Sequence, residues 1–233
     1  MKKWILFSAL SLAGLMSACN DDDSLNPVFI SDSAFETGTD EWVAEFAEYS
    51  TETDSLTLRM LARRSRLPTG LDTSKYAYMV EASNGSDDMF MYLKKKLTGL
   101  NANQTYNISF EVTIATHYPE GGIGAGGAPG GSMFLKTGAS GIQPARKLVN
   151  KIYEFNLDKG AQSEEGVDAV IIGDATNGTS ESTYKLVRKA STKPFVAKAN
   201  EKGEIWLFVG VDSGYEGINT VYYDRIKALI SAQ

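Results

Sequence analysis

The sequence predicts an all-β fold, an antiparallel two-sheet β-sandwich, on three observations. Tyr106, Ile108, Phe110, Val112 and Ile114 fall on alternate positions, with Asn107, Ser109, Glu111 and Thr113 between them. Aromatic and β-branched residues on one parity and polar residues on the other describe a strand with one face on a core. Roughly a dozen short apolar runs of this kind follow one another, divided by glycine, asparagine and aspartate turn signals. No segment sustains a helical period beyond about two turns. Residues 104–116 are the organising strand, expected to be central in one sheet.

Before the strands comes a leader that takes no part in the fold. Lys2 and Lys3 form a basic start, residues 4–15 an apolar run, and Met16-Ser17-Ala18-Cys19 a cleavage region. The apolar run is too short for a stable membrane-spanning helix. Small residues directly before a cysteine resemble the lipobox of bacterial lipoproteins. That resemblance implies that residues 1–18 are removed and that Cys19 becomes a lipid-bearing first residue; a plain cleaved signal peptide is the alternative. Residues 19–27, with Asp21, Asp22 and Asp23, have almost nothing to bury and read as a flexible acidic tether. Residues 28–233 form a single domain, since neither a repeat nor a composition break divides them. The expected setting is the cell envelope of a diderm bacterium, with the chain lipid-anchored to the outer membrane, on its periplasmic face or at the cell surface.

Composition removes several functions. The formal charge is −6, which argues against nucleic acid, whose binders carry a basic footprint. Cys19 is the only cysteine, so an internal disulfide, a thiolate metal site and a cysteine nucleophile are all excluded. His117 is the only histidine, which excludes a three-histidine zinc site. No G-x-S-x-G elbow is present to pair with it.

In chain order, residues 28–31 read as a first strand and residues 42–49 as a mixed one. Residues 55–61 alternate Leu56, Leu58 and Met60 against Thr57 and Arg59, which predicts a strand. Arg63, Arg64 and Arg66 then read as a solvated basic loop ending at Pro68, with an acidic-ligand contact as the alternative. Residues 76–82 and 89–97 are strands expected to pair as a hairpin across Asn84-Gly85-Ser86-Asp87. After the organising strand, GGIGAGGAPGG over 121–131 predicts a mobile loop that lets backbone approach a ligand or folds over one as a lid. Its formal G-x-G-x-x-G spacing is no dinucleotide site, because a strand and not a helix follows. Residues 132–137, 151–157, 167–173, 182–188, 195–199, 204–211 and 220–230 complete the strands.

Three segments stand in order along the chain: Ala34-Phe35-Glu36 with Trp42, the run LTGLNANQTYNISFEV over 97–112, and WLFVGVDSG with VYYDRI over 205–226. Together they resemble the jelly-roll carbohydrate-binding modules of the galactose-binding-like group. The section from His117 to Ser191, including LDKGAQSEEGVDAVIIGD, does not match those modules. The resemblance implies a jelly roll and a structural calcium ion where the first and last strands meet, with Glu36 and Asp224 as the matching ligands. The alternative for both is a surface or strand-end carboxylate.

A pyranose packs its C–H face on an aromatic ring, so candidate ligand contacts are aromatic. Tyr118 and His117, at the mouth of the glycine loop, are the first candidates. Trp206 is a larger ring in a strand where burial is normal. No catalytic constellation stands out. The function expected is therefore a non-catalytic carbohydrate-binding envelope lipoprotein, with a glycan or another envelope protein as partner. A polysaccharide hydrolase or lyase near His117, and a structural or protein-interaction module, are the alternatives.

Overall fold

The computed structural model describes residues 28–233; the expected signal peptide (1–18) and the tether (19–27), Cys19 included, lie outside the described residues. Two antiparallel sheets pack face to face, which makes the domain an all-β sandwich. The larger has seven strands. Its path runs β12 (Lys185–Ala190), β7 (Thr105–Thr116), β15 (Gly217–Ala232), β5 (Tyr76–Asn84), β4 (Leu61–Arg66). β1 (Val28–Ser33) also pairs with β15, and β13 (Phe195–Lys198) with β7, each end to end with the neighbour on that edge. The smaller sheet runs β11 (Ala169–Asp174), β8 (Met133–Ser140), β14 (Ile205–Ser213), β6 (Met89–Leu97), β2 (Val43–Ala47).

The organising strand is β7. Tyr106, Ile108, Phe110, Val112 and Ile114 are all buried, and strands pair on both of its edges. β15 matches it across the sheet, but its inward parity changes from Val221 and Tyr223 to Ile226, Ala228 and Ile230. A β-bulge between Tyr223 and Arg225 causes the change and leaves Asp224 without a partner residue on β7. Trp42 closes the N-terminal side of the core, its indole N–H donating to Ser33 Oγ at 3.0 Å.

A ribbon of β3 (Tyr49–Ser50), β10 (Ile152–Phe155) and β9 (Arg146–Val149) lies beside the smaller sheet. Phe155 packs edge-on against Phe90 and Tyr92, each at 4.9 Å, over Ala47 and Phe208. That second apolar cluster explains why Met89 to Lys94 of β6 are buried on both parities.

Three expectations change. Residues 55–61 are not one strand: Ser55–Leu58 form a short helix, α1. Asp54 caps it by accepting from the Leu56 N–H at 3.0 Å, and Arg59 ends it in the left-handed conformation. Leu58 alone is buried there, while Leu56 is 83% exposed. Arg63, Arg64 and Arg66 are not in a loop but on the edge strand β4, where charged side chains blunt an open edge. The hairpin between residues 76–82 and 89–97 does not form, because β5 and β6 belong to different sheets and residues 85–88 cross between them.

Candidate functional site

The end of β7 sets the geometry on the outer face of the seven-stranded sheet. Lys185 pairs with Thr116, so Tyr184 stands beside His117, and the two rings lie 4.9 Å apart. Tyr222 pairs with Ala115 on the other side of β7. Ala115 and Ala77 are fully buried beneath these rings together with Leu67, and the small side chains leave room for the rings to lie over them. Tyr184 and Tyr222 meet at 5.8 Å with their planes at 88°, forming a right-angled aromatic corner. Both stay partly exposed.

Polar groups follow along the same rows. Met79 pairs with both Tyr222 and Arg63, which puts Arg63 on the same face. Glu81 pairs with Thr220, whose hydroxyl donates to Glu81 Oε2 at 2.7 Å, and Arg59 lies 3.8 Å from Glu81 Oε1. Burial, with Tyr222 and Glu81 beside it, pushes the Tyr184 phenol up to about 12, so its hydroxyl remains a donor at neutral pH. Burial also lowers the His117 pKa, which keeps the imidazole neutral at pH 7. His117 Nδ1 has no hydrogen-bond partner among the described residues.

Tyr118 points the other way. It is 5% exposed; its hydroxyl donates to the Ile218 carbonyl at 2.9 Å and accepts from the Thr220 N–H at 2.8 Å. Its ring, 4.3 Å from His117, fastens β15 to the end of β7 and has no open face for stacking. Trp206 is half-buried on the outer face of the other sheet, with Lys96 Nζ 5.8 Å from its ring. It lies on the opposite side of the sandwich from His117.

The glycine loop is packed down rather than poised over open space. A Cβ at Gly130 would sit 2.6 Å from Tyr118 Cβ, and one at Gly124 would sit 2.7 Å from the Tyr215 ring. The Gly130 carbonyl accepts from the Met133 and Ala175 N–H groups, and the Ala125 carbonyl from Glu216 N–H. These contacts, which the glycine count does not reveal, tie the loop to Tyr118, Tyr215 and Ala175.

Glu36 and Asp224 do come together. They line one cavity of about 380 Å³ with Asp72, Lys75, Leu67 and Leu186. Leu186 pairs with Ala115, and Leu67 packs under the tyrosine corner, so this cavity adjoins the aromatic site. Burial, and then Glu36, push the Asp224 carboxyl up. The donors fit calcium poorly, since that ion takes six to eight oxygens. The Phe35 carbonyl already accepts from Arg64 Nε at 2.7 Å, and the Glu36 carbonyl from the same guanidinium. Lys75 lies 3.8 Å from Glu36. Among the described residues no group of three or more His, Cys, Asp or Glu is placed to hold a metal.

Tyr222 and Glu81 were not singled out by the sequence, and Arg63 was read as part of a solvated basic loop with a ligand contact only as the alternative. The signal available was the outward parity of Tyr222 between the inward Val221 and Tyr223.

No family model matches the chain. No curated protein matches it. Among solved structures it is similar to the K1 cleaved adhesin domain of Lys-gingipain from Porphyromonas gingivalis W83, at 11% identity and a TM-score of 0.38, over 88% of this chain and 99% of that one. It is also similar to TmCBM27, a carbohydrate-binding module studied for specific mannan recognition, at 11% identity and a TM-score of 0.39, over 89% and 99%. A third is TmCBM61, solved in complex with β-1,4-galactotriose, at 14% identity and a TM-score of 0.31, over 80% and 86%. The β-sandwich itself is established by the strand pairing of this chain.

Proposed function

We propose that this chain binds carbohydrate without turning it over, through the outer face of the seven-stranded sheet. The observation that carries the reading is the partly exposed Tyr184–Tyr222 corner, with Glu81, Arg63 and the Glu36–Asp224 cavity next to it. One ring takes the C–H face of a pyranose. The carboxylates and guanidinium accept from and donate to its hydroxyls. As an envelope lipoprotein held through Cys19 to the outer membrane, the chain would present this face to a glycan. Labelling with a lipid precursor checks the anchor: equal labelling of wild type and Cys19→Ala rejects it.

A polysaccharide lyase or hydrolase is the second reading. It is favoured by the neutral imidazole of His117 beside the Tyr184 phenol, two groups able to pass a proton. A glycan array followed by product analysis of each hit separates the two. Binding with intact ligand supports the first reading, product formation supports the second, and an empty array rejects both.

A further inference from the structure

A larger cavity, of about 620 Å³, lies away from this face. Its walls are residues 86–88 between β5 and β6, residues 157–163 after β10, and Glu48 between β2 and β3. A neighbouring cavity of about 300 Å³ shares Glu48, Ser86 and Asp88 and continues along Tyr49, Ile152 and Glu154 of the ribbon. Together they form one groove, lined by Glu48, Asp87, Asp88, Glu154 and Asp158 against a single basic residue, Lys159.

That lysine is already committed. Its ammonium lies 2.8 Å from Asp212 Oδ2, and the wholly buried Lys136 reaches the same oxygen at 2.9 Å. Lys136 also donates to the carbonyls of Lys159 (2.8 Å) and Ala161 (2.5 Å), so it holds the groove's loop from beneath. Asp212 is 0% exposed, and its Oδ1 has no partner among the described residues. A buried, half-satisfied carboxylate therefore lies directly below the floor.

The wall carboxylates differ in what they already hold. Asp158 accepts from the Gly160 and Val167 N–H groups and closes its own loop. Among the described residues Glu48 accepts from Phe155 N–H alone, at 2.9 Å, while Asp88 has Lys159 at 3.8 Å and a side-chain hydrogen bond from Gln162. Burial raises the pKa of both, against the pull of the neighbouring lysine, so each carries its charge at a cost that a bound cation would remove.

We infer that this groove binds an oligosaccharide of amino sugars, with the ligand's primary ammonium groups against Glu48 and Asp88. Ser86 and Ser163 line the same groove and suit the hydroxyls of a sugar rather than the bare methylenes of a polyamine, while Gln162 is already held by the Asp87 carbonyl. The site lies apart from the tyrosine corner and does not depend on it.

The test is isothermal titration of the full-length protein with a glucosamine tetramer, its fully N-acetylated counterpart and spermine, at low and moderate salt. The tetramers differ in charge and in the acetyl groups. Expected is binding of the glucosamine tetramer at least tenfold tighter than the acetylated one, weakening with salt. The charge-neutral Glu48→Gln/Asp88→Asn double variant, checked for its fold by circular dichroism, should lose that affinity at least tenfold. Equal binding of the two tetramers, binding of neither, or an unchanged double variant overturns the site. Binding of spermine without the glucosamine tetramer overturns the amino-sugar assignment.

Discussion

Lys136 and Asp212 are both 0% exposed in their side chains and lie 2.9 Å apart, with Lys159 sharing the same carboxylate oxygen. Two buried cations on one anion make the partners unequal. Removing Lys136 leaves Asp212 paired with Lys159, whereas removing Asp212 strands both ammoniums. Asp212→Ala is therefore expected to cost about 3–5 kcal/mol, and Lys136→Met distinctly less. Urea unfolding of the two variants measures this. An Asp212→Ala loss below that of Lys136→Met would contradict the arrangement.

Glu48 and Asp88 predict a pH dependence. Their folded-state pKa values are raised, chiefly by burial, above 4.5 and 3.8 respectively. A carboxyl with a raised folded pKa favours the fold when protonated, below its unfolded value, and that contribution is lost as pH rises through the folded value. At neutral pH the ionised groups therefore cost stability. Glu48→Gln and Asp88→Asn should raise the melting temperature at pH 7, and the gain should fade as pH falls through the folded pKa values and vanish below about pH 3, where both states are protonated. A gain that persists unchanged at low pH would assign it to some other cause.

Arg64 predicts the response to calcium. Its guanidinium serves the carbonyls of Phe35 and Glu36 and lies 3.5 Å above the Tyr76 ring. A cation thus already occupies the turn next to Glu36 and Asp224. The melting temperature of the wild type should be the same in chelator and in millimolar calcium, and Arg64→Ala should lose about 1–2 kcal/mol of stability. A rise with calcium in metal-free wild type would restore the ion to this site.

What the sequence revealed follows from how local each cause is. The alternation of β7 is visible because one strand face meets one core, and even the bulge at Asp224 shows as a change of parity after Tyr223. The Leu56–Leu58–Met60 alternation misled because a capping carboxylate at Asp54 decides the local backbone. Arg63, Arg64 and Arg66 misled because an edge strand tolerates charge on both parities. The β5–β6 hairpin failed because sheet membership is settled by distant partners: β5 by β15 and β6 by β14. Tyr184 and Tyr222 meet only through the registers of β12 and β15 on β7, long-range pairings with no trace in short windows. Lys136 reads as an ordinary strand lysine, since its partners Asp212 and the 159–161 carbonyls come from other parts of the chain.

The central claim is that glycan binds at the Tyr184–Tyr222 corner, and one titration series tests it most directly. The affinity of the best array ligand is measured for the wild type, Tyr184→Ala, Tyr222→Ala and, on the opposite face, Trp206→Ala. Each tyrosine variant should weaken binding by about 1 kcal/mol or more, roughly fivefold, while Trp206→Ala matches the wild type. Unchanged affinity in both tyrosine variants, with a loss in Trp206→Ala, would contradict the account and move the site to the other sheet.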